Sequence, residues 1–211
     1  MDLAFFDRTA RGRLLVGGHD AKDLLHRLST NDVLGLRPGA GRPACFCTNK
    51  GRLIDATVIL DRGEDLLVLS GNPDRLSGHI QSYTISEDVT VRNYLAIELV
   101  VCGPGAAELL GVRLEPWHHT QARLGEVSGL VARIEPWMGE GYTVLAPDAV
   151  ALRKSWAERG RFLQGADVEE LRIRSGIPAV PREINEEHNP WEARLDDWVS
   201  LSKGCYVGQE V

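Results

Sequence analysis

The octet Lys203-Gly204-Cys205-Tyr206-Val207-Gly208-Gln209-Glu210 places one cysteine between two glycines, with a cation two residues before it. Glycines let the backbone turn sharply or approach a ligand closely. A neighbouring ammonium stabilises thiolate and so raises the nucleophilic fraction at neutral pH. The chemistry on offer is a reactive thiol at Cys205 assisted by Lys203. The same pattern also fits a glycine-bounded turn around a buried, inert cysteine, the ordinary fate of a free thiol. The residues alone leave both open.

Other chemistry-bearing residues read as structural. Cys45 and Cys47 are two apart on an expected strand and share a face; small buried core residues are expected rather than a thiol or metal site. No C-x-x-C occurs, so no cysteine metal or cluster site is expected. His118-His119 is expected at the surface of a turn. Gly103-Pro104-Gly105 lacks a phosphate-binding fingerprint and reads as a strand-to-helix turn.

The elements that position these residues alternate throughout. A strand at Arg13-Leu14-Leu15-Val16 precedes a helix for which Asp20 is the expected N-cap, with Leu24, Leu25 and Leu28 on one face. Strands at 44–48 and 53–60 flank Asn49-Lys50-Gly51 as a hairpin. Another strand spans 66–70, and a helix is expected over 73–83, with Pro73 in its first turn. Strands at 89–91 and 96–101, a short helix at 106–110, and a hairpin pair at 127–134 and 142–146 follow. Helices over 150–159 and 167–175 complete the pattern, the last capped by Asp167 and stopped by Gly176-Ile177-Pro178. The expected class is α+β on antiparallel sheets.

The chain has 211 residues, 43% apolar and 26% charged, which supports a packed core and excludes disorder. A net charge of −6 gives no strong nucleic-acid signal. No run of ~18 apolar residues calls for a membrane span. Met1-Asp2-Leu3-Ala4-Phe5-Phe6-Asp7 is not a signal peptide, so a cytoplasmic protein with reduced thiols is expected. Gln209-Glu210-Val211 forms no polar tail, and a longer parent protein, cut here, is expected.

The octet resembles the K-G-C-[FY]-x-G-Q-E signature of YgfZ-type proteins in the aminomethyltransferase (glycine-cleavage T-protein-like) family. Leu171-Arg172-Ile173-Arg174-Ser175-Gly176-Ile177-Pro178 is similar to that family's L-R-x-x-x-G-I-P, and Asn189-Pro190-Trp191-Glu192-Ala193-Arg194-Leu195 to its N-P-x-E-x-x-L. Leu28-Ser29-Thr30-Asn31-Asp32-Val33 and Cys102-Gly103-Pro104 also resemble the family's pattern. The similarity runs over essentially the whole chain.

The resemblance implies an aminomethyltransferase folate-binding domain with antiparallel sheets and packed helices. Two intertwined subdomains are expected, at 1–40 plus 150–211 and at 41–149, with a C-terminal β-barrel beyond Val211 absent from this chain. It implies tetrahydrofolate or a one-carbon derivative as cofactor, held between the Asn72 segment and the Glu192 loop. A carboxylate accepts the ring N–H and amino group of a pterin in a two-pronged hydrogen bond, the role implied for Glu192; by residue type alone, Glu192 is a solvated glutamate beside Arg194. Trp191 and Tyr206 are the other expected binding residues, with Trp191 either stacking on the pterin or filling core. Trp198 is expected in the core.

One departure is chemical. The stretch 70–80 stands where the T-protein has N-A-x-N-x-x-K-D-x-x-W-I, and aligning Asn72 and Ile80 puts Leu76 at the family's assisting Asp. Leu moves no proton, and Asp74 is turned about 200° away on a helix. A classical aminomethyltransferase is therefore not expected. Three functions compete: a YgfZ-type factor supporting iron–sulfur cluster assembly or repair, with iron–sulfur client or assembly proteins as partners; a folate-dependent one-carbon transferase or demethylase; and a non-catalytic folate-binding module.

Overall fold

The structure, a computed structural model, describes residues 3–210. Met1, Asp2 and Val211, on which the readings of the two chain ends partly rest, lie outside the described residues. The chain is α+β and forms two compact units, each from two stretches of sequence: 3–10 with 95–177, and 11–94 with 178–210.

The first unit holds a six-stranded sheet. Its strands are β1 (Ala4–Asp7), β7 (Ile97–Cys102), β8 (His118–Leu124), β9 (Val127–Glu135), β10 (Gly141–Ala146) and β11 (Arg161–Phe162), in the order β11-β1-β7-β10-β9-β8. Only the β1–β11 pair is parallel. Successive side chains point to opposite faces, and both faces are covered. Phe5, Leu99 and Val101 pack with α3 (Ala106–Leu110) and α4 (Val150–Trp156), while Phe6, Val100 and Cys102 pack with Leu171 of α5 (Ala166–Arg174).

The second unit holds a five-stranded antiparallel sheet. Its strands are β2 (Gly12–Gly17), β3 (Gly41–Cys47), β4 (Leu53–Asp61), β5 (Leu66–Ser70) and β6 (Thr90–Asn93), in the order β3-β4-β5-β2-β6. Helices α1 (Ala21–Leu28) and α2 (Pro73–Ser82) share a core with Leu14, Val16, Phe46 and Val68. At the β3 edge a smaller cluster of Cys45, Cys47, Leu53, Ile184 and Leu195 takes in Trp198.

The expected subdomain boundaries do not match these units. Residues 11–40 belong with 41–94, because β2 hydrogen-bonds to β5 and β6. Residues 4–7 belong with the 95–177 stretch, because β1 pairs with β7 and β11. Three local readings also change. His118 and His119 sit on edge strand β8, with His119 buried. Asp20 occupies the N-cap position of α1 but makes no side-chain cap; its carboxylate accepts the Asp88 N–H at 2.8 Å instead. Gly165 occupies the cap position of α5, and Asp167 pairs with Arg161 at 2.5 Å. Among the described residues no helix is long and apolar enough to cross a membrane.

Candidate functional site

All six expected site residues lie in the second unit. The Asn189-Pro190-Trp191-Glu192 run folds as one tight turn, and its sequence explains why. Asn189 Oδ1 accepts the Glu192 N–H at 2.9 Å, and Glu192 Oε2 accepts the Asn189 N–H at 2.7 Å. This is the reciprocal capping pattern, with proline pre-set for the first helical position. Leu195 N–H closes the turn on Pro190 O at 2.8 Å, and Arg194 leaves it at φ 57°. Arg52 Nη1 reaches the same Glu192 Oε2 at 3.2 Å. Both polar contacts thus fall on one oxygen; Oε1 has no partner among the described residues, and the side chain is half exposed.

Beside this turn a crevice of about 180 Å³ opens, lined by Cys47, Arg52, Pro190, Trp191, Tyr206 and Gln209 among others. Trp191 is 50% exposed, too open for a core residue of its size. Tyr206 is partly buried; burial pushes its hydroxyl pKa up, and the Cys47 and Cys45 charges push the same way. The crevice gathers Trp191 and Tyr206, and the Glu192 turn borders it through Asn189 and Arg52. Asn72 is not among its lining residues.

The octet is anchored residue by residue. Lys203 Nζ donates to Ser29 O at 2.6 Å and to His26 O, carbonyls at the end of α1 that lack helical partners. A cation there also meets the negative end of the helix dipole. Burial pulls the Lys203 pKa down to about 8, while Asp32 and Cys205 push it up. The ammonium sits 5.3 Å over the Tyr206 ring. Val207 N–H donates to Arg27 O at 3.2 Å, and its side chain joins the helical core. Gly208 has φ 86°, and an added Cβ would lie 2.3 Å from Thr48 O, so glycine is required where the chain crosses the β3–β4 hairpin. Lys203 is thus first a helix cap and second a charge near the thiol.

Cys205 stands exposed between these anchors, whereas Cys45, Cys47 and Cys102 are buried. Burial pushes the pKa of Cys47 and of Cys102 to about 12 and that of Cys45 well above its ordinary value. The Leu28-Ser29-Thr30-Asn31-Asp32 run ties in the same stretch. Thr30 Oγ1 donates to Trp198 O at 2.7 Å and accepts the Cys45 N–H at 2.9 Å; Thr30 O accepts the Ser200 N–H at 2.9 Å.

Asn72 caps α2 by position, without a side-chain cap bond. Its backbone N–H and that of Gly71 point to the buried carboxylate of Asp55, each at 3.3 Å. Leu76, which the resemblance sets against the T-protein's Asp, is fully buried in the core under α2. Two participants escaped the sequence reading. Arg52 carries no local signal, because its partner lies 140 residues away. Asp55 did carry one, as an acid inside the apolar run Leu53-Ile54-Asp55-Ala56-Thr57-Val58. No group of three or more His, Cys, Asp or Glu among the described residues could hold a metal ion.

Relatives match nearly the whole of this chain. It is 27% identical to the aminomethyltransferase of Geobacillus kaustophilus, over 98% of this chain and 62% of that protein. It is 31% identical to the aminomethyltransferase of Symbiobacterium thermophilum, over 97% and 62%. The chain thus spans about three-fifths of their length. The crystal structure of glycine cleavage system aminomethyltransferase T from Bartonella henselae shares the fold, with a TM-score of 0.85 at 17% identity over 99% of this chain and 62% of that one. The model of the GCVT N-terminal domain matches residues 2–203, and the chain belongs to that family.

Proposed function

We propose that this chain is a tetrahydrofolate-binding protein of the YgfZ type that supports assembly or repair of iron–sulfur proteins, with Cys205 as its reactive thiol. The observation that carries the reading is the placement of Cys205. It is the exposed member of four cysteines, on a loop pinned by Lys203 before it and by Val207 and Gly208 after it. A pinned loop around an accessible sulfur is a costly way to hold an inert residue and a direct way to present a nucleophile. Its place of work is the cytoplasm, where thiols stay reduced.

The residues fit a reduced folate. Glu192 Oε1 is open, and that is the atom to accept a pterin N–H. Oε2 already takes two donors, so the two-pronged contact requires Arg52 to give way. Trp191 offers an aromatic face beside the Glu192 turn, and Asn72 lies on the other segment that the resemblance assigns to the ligand. Tetrahydrofolate, when bound, supplies a carrier for one-carbon units; the chain's own residues bind and orient it.

The names of the relatives favour a second reading, a folate-dependent one-carbon transferase or demethylase. Against its T-protein form stands Leu76, an apolar side chain sealed in the core. The test is made in cells lacking the protein. Iron–sulfur enzyme activity should fall, be restored by the parent protein and not by Cys205→Ser. Equal rescue by both would keep the iron–sulfur role and remove Cys205 from it; no fall at all would remove the iron–sulfur role and leave a plain folate-binding module.

A further inference from the structure

Asp55 is fully buried on β4, yet no cationic side chain among the described residues pairs with it. Four donors hold its two oxygens. Ala56 N–H and Gly71 N–H reach Oδ1 at 2.9 and 3.3 Å; Asn72 N–H reaches Oδ2 at 3.3 Å, and the Ser70 hydroxyl donates to Oδ2. Asn72 N–H also lies 3.1 Å from Ser70 Oγ. Three of the donors come from consecutive residues that carry the chain from β5 into α2. The turn is tight, since an added Cβ on Gly71 would sit 2.6 Å from Val180 Cγ2.

We propose that Asp55 is a positioning residue: its negative charge holds the Ser70-Gly71-Asn72 turn in the form that receives a reduced folate, and protonating it releases that turn. The inference rests on the folate reading given above. Its atoms explain the switch. The ionised carboxylate only accepts, which suits four donors. A proton added at Oδ2 turns that oxygen into a donor toward Ser70 Oγ. The Ser70 hydroxyl hydrogen must then point elsewhere, and Asn72 N–H loses its charged acceptor. Because both oxygens are saturated and sealed from solvent, Asp55 acts through the turn and not on the ligand.

Burial raises the Asp55 pKa to about 6, against four hydrogen bonds that lower it, so the change falls in an accessible range. Of the titratable groups on the neighbouring elements, Cys45 on β3 feels the Asp55 charge. Asp74, Arg75 and His79 on α2 and Glu186 beyond Val180 form no hydrogen bond or ion pair with it, and Arg75 and Glu186 pair with each other.

The test uses the ¹⁵N-labelled chain without folate, followed by amide NMR from pH 4.5 to 8, and tetrahydrofolate titrated calorimetrically at pH 5 and 7.5. The Gly71 and Asn72 amides should shift together with a midpoint near 6. Folate affinity should be about fivefold or more weaker at pH 5. Asp55→Asn should flatten both responses. Ser70→Ala, which removes a hydrogen bond to the charged form, should move both midpoints upward and serves if Asp55→Asn does not fold. Amides that stay flat across the range overturn the proposal. Amides that titrate while folate binds equally at both pH values overturn it too, and leave the folate reading standing. Titrating amides with no folate binding at any pH remove the folate reading and the switch's ligand with it.

Discussion

Asn189 and Glu192 hold each other: the side chain of each accepts the backbone N–H of the other, at 2.9 and 2.7 Å. The carboxylate expected to meet the ligand therefore also builds the turn that presents it. Asn189→Ala breaks one half of the pair without touching the carboxylate. Urea denaturation should show a loss of ~1 kcal/mol, and Asn189→Asp should keep most of the stability.

Cys205 should be the thiol that an alkylating reagent finds. The other three cysteines are buried, and burial raises their pKa values. A brief, limiting pulse of iodoacetamide followed by mass spectrometry should label Cys205 ahead of Cys45, Cys47 and Cys102. Bound tetrahydrofolate should slow that labelling if thiol and ligand border one another. Labelling of Cys205 no faster than the rest would remove the exposed nucleophile.

The buried Asp55 gives stability a pH dependence of definite sign. Its pKa is about 6 in the fold against 3.8 as the ordinary value, so the folded state binds the extra proton between those limits. Its contribution is fully present below about 3.8 and is lost as pH rises through 6, because desolvating the charge costs the fold as a whole more than the four hydrogen bonds that order the Ser70-Gly71-Asn72 turn return. The difference is on the order of 3 kcal/mol. Urea midpoints compared at pH 4.5, 6 and 7.5 should reveal this component as the part that Asp55→Asn abolishes.

Leu76 is where the proposed function and the fold make a joint prediction. The side chain is 0% exposed, in a core shared with Leu24, Phe46 and Ile80. Leu76→Asp should therefore lower stability by ~3 kcal/mol or more, an unpaired charge replacing packed methyls, and should not create aminomethyl transfer. Ammonia release from aminomethyl-loaded carrier protein with tetrahydrofolate should stay near background for parent and variant. Turnover of about 1 per second would contradict this.

Regular elements with clear apolar periodicity were legible in the sequence. The β3–β4 hairpin around Asn49-Lys50-Gly51 and the Leu24, Leu25, Leu28 face of α1 stand where their patterns put them. What escaped was weakly patterned or nonlocal. Strand β8, His118–Leu124, is a polar edge strand defined by its pairing with β9. Strand β11 has two residues, too few to show a period. The unit boundaries follow β2 pairing with β6 across some 75 residues, which no local signal encodes. At the site, the motifs singled out Glu192 and Cys205, but not that Lys203 caps α1 or that Arg52 shares Glu192.

The central claim is that a reduced folate binds through Glu192, and calorimetry of tetrahydrofolate against the parent chain and Glu192→Gln tests it most directly. Gln keeps an oxygen for the Asn189 N–H and removes the charge, so the turn should persist while the ligand loses a charge-assisted contact. The expected result is measurable binding to the parent and a loss of roughly 1.5–3 kcal/mol, or about 10- to 100-fold in affinity, for Glu192→Gln. Equal affinities for the two proteins, or no binding to the parent at neutral pH, would contradict the account.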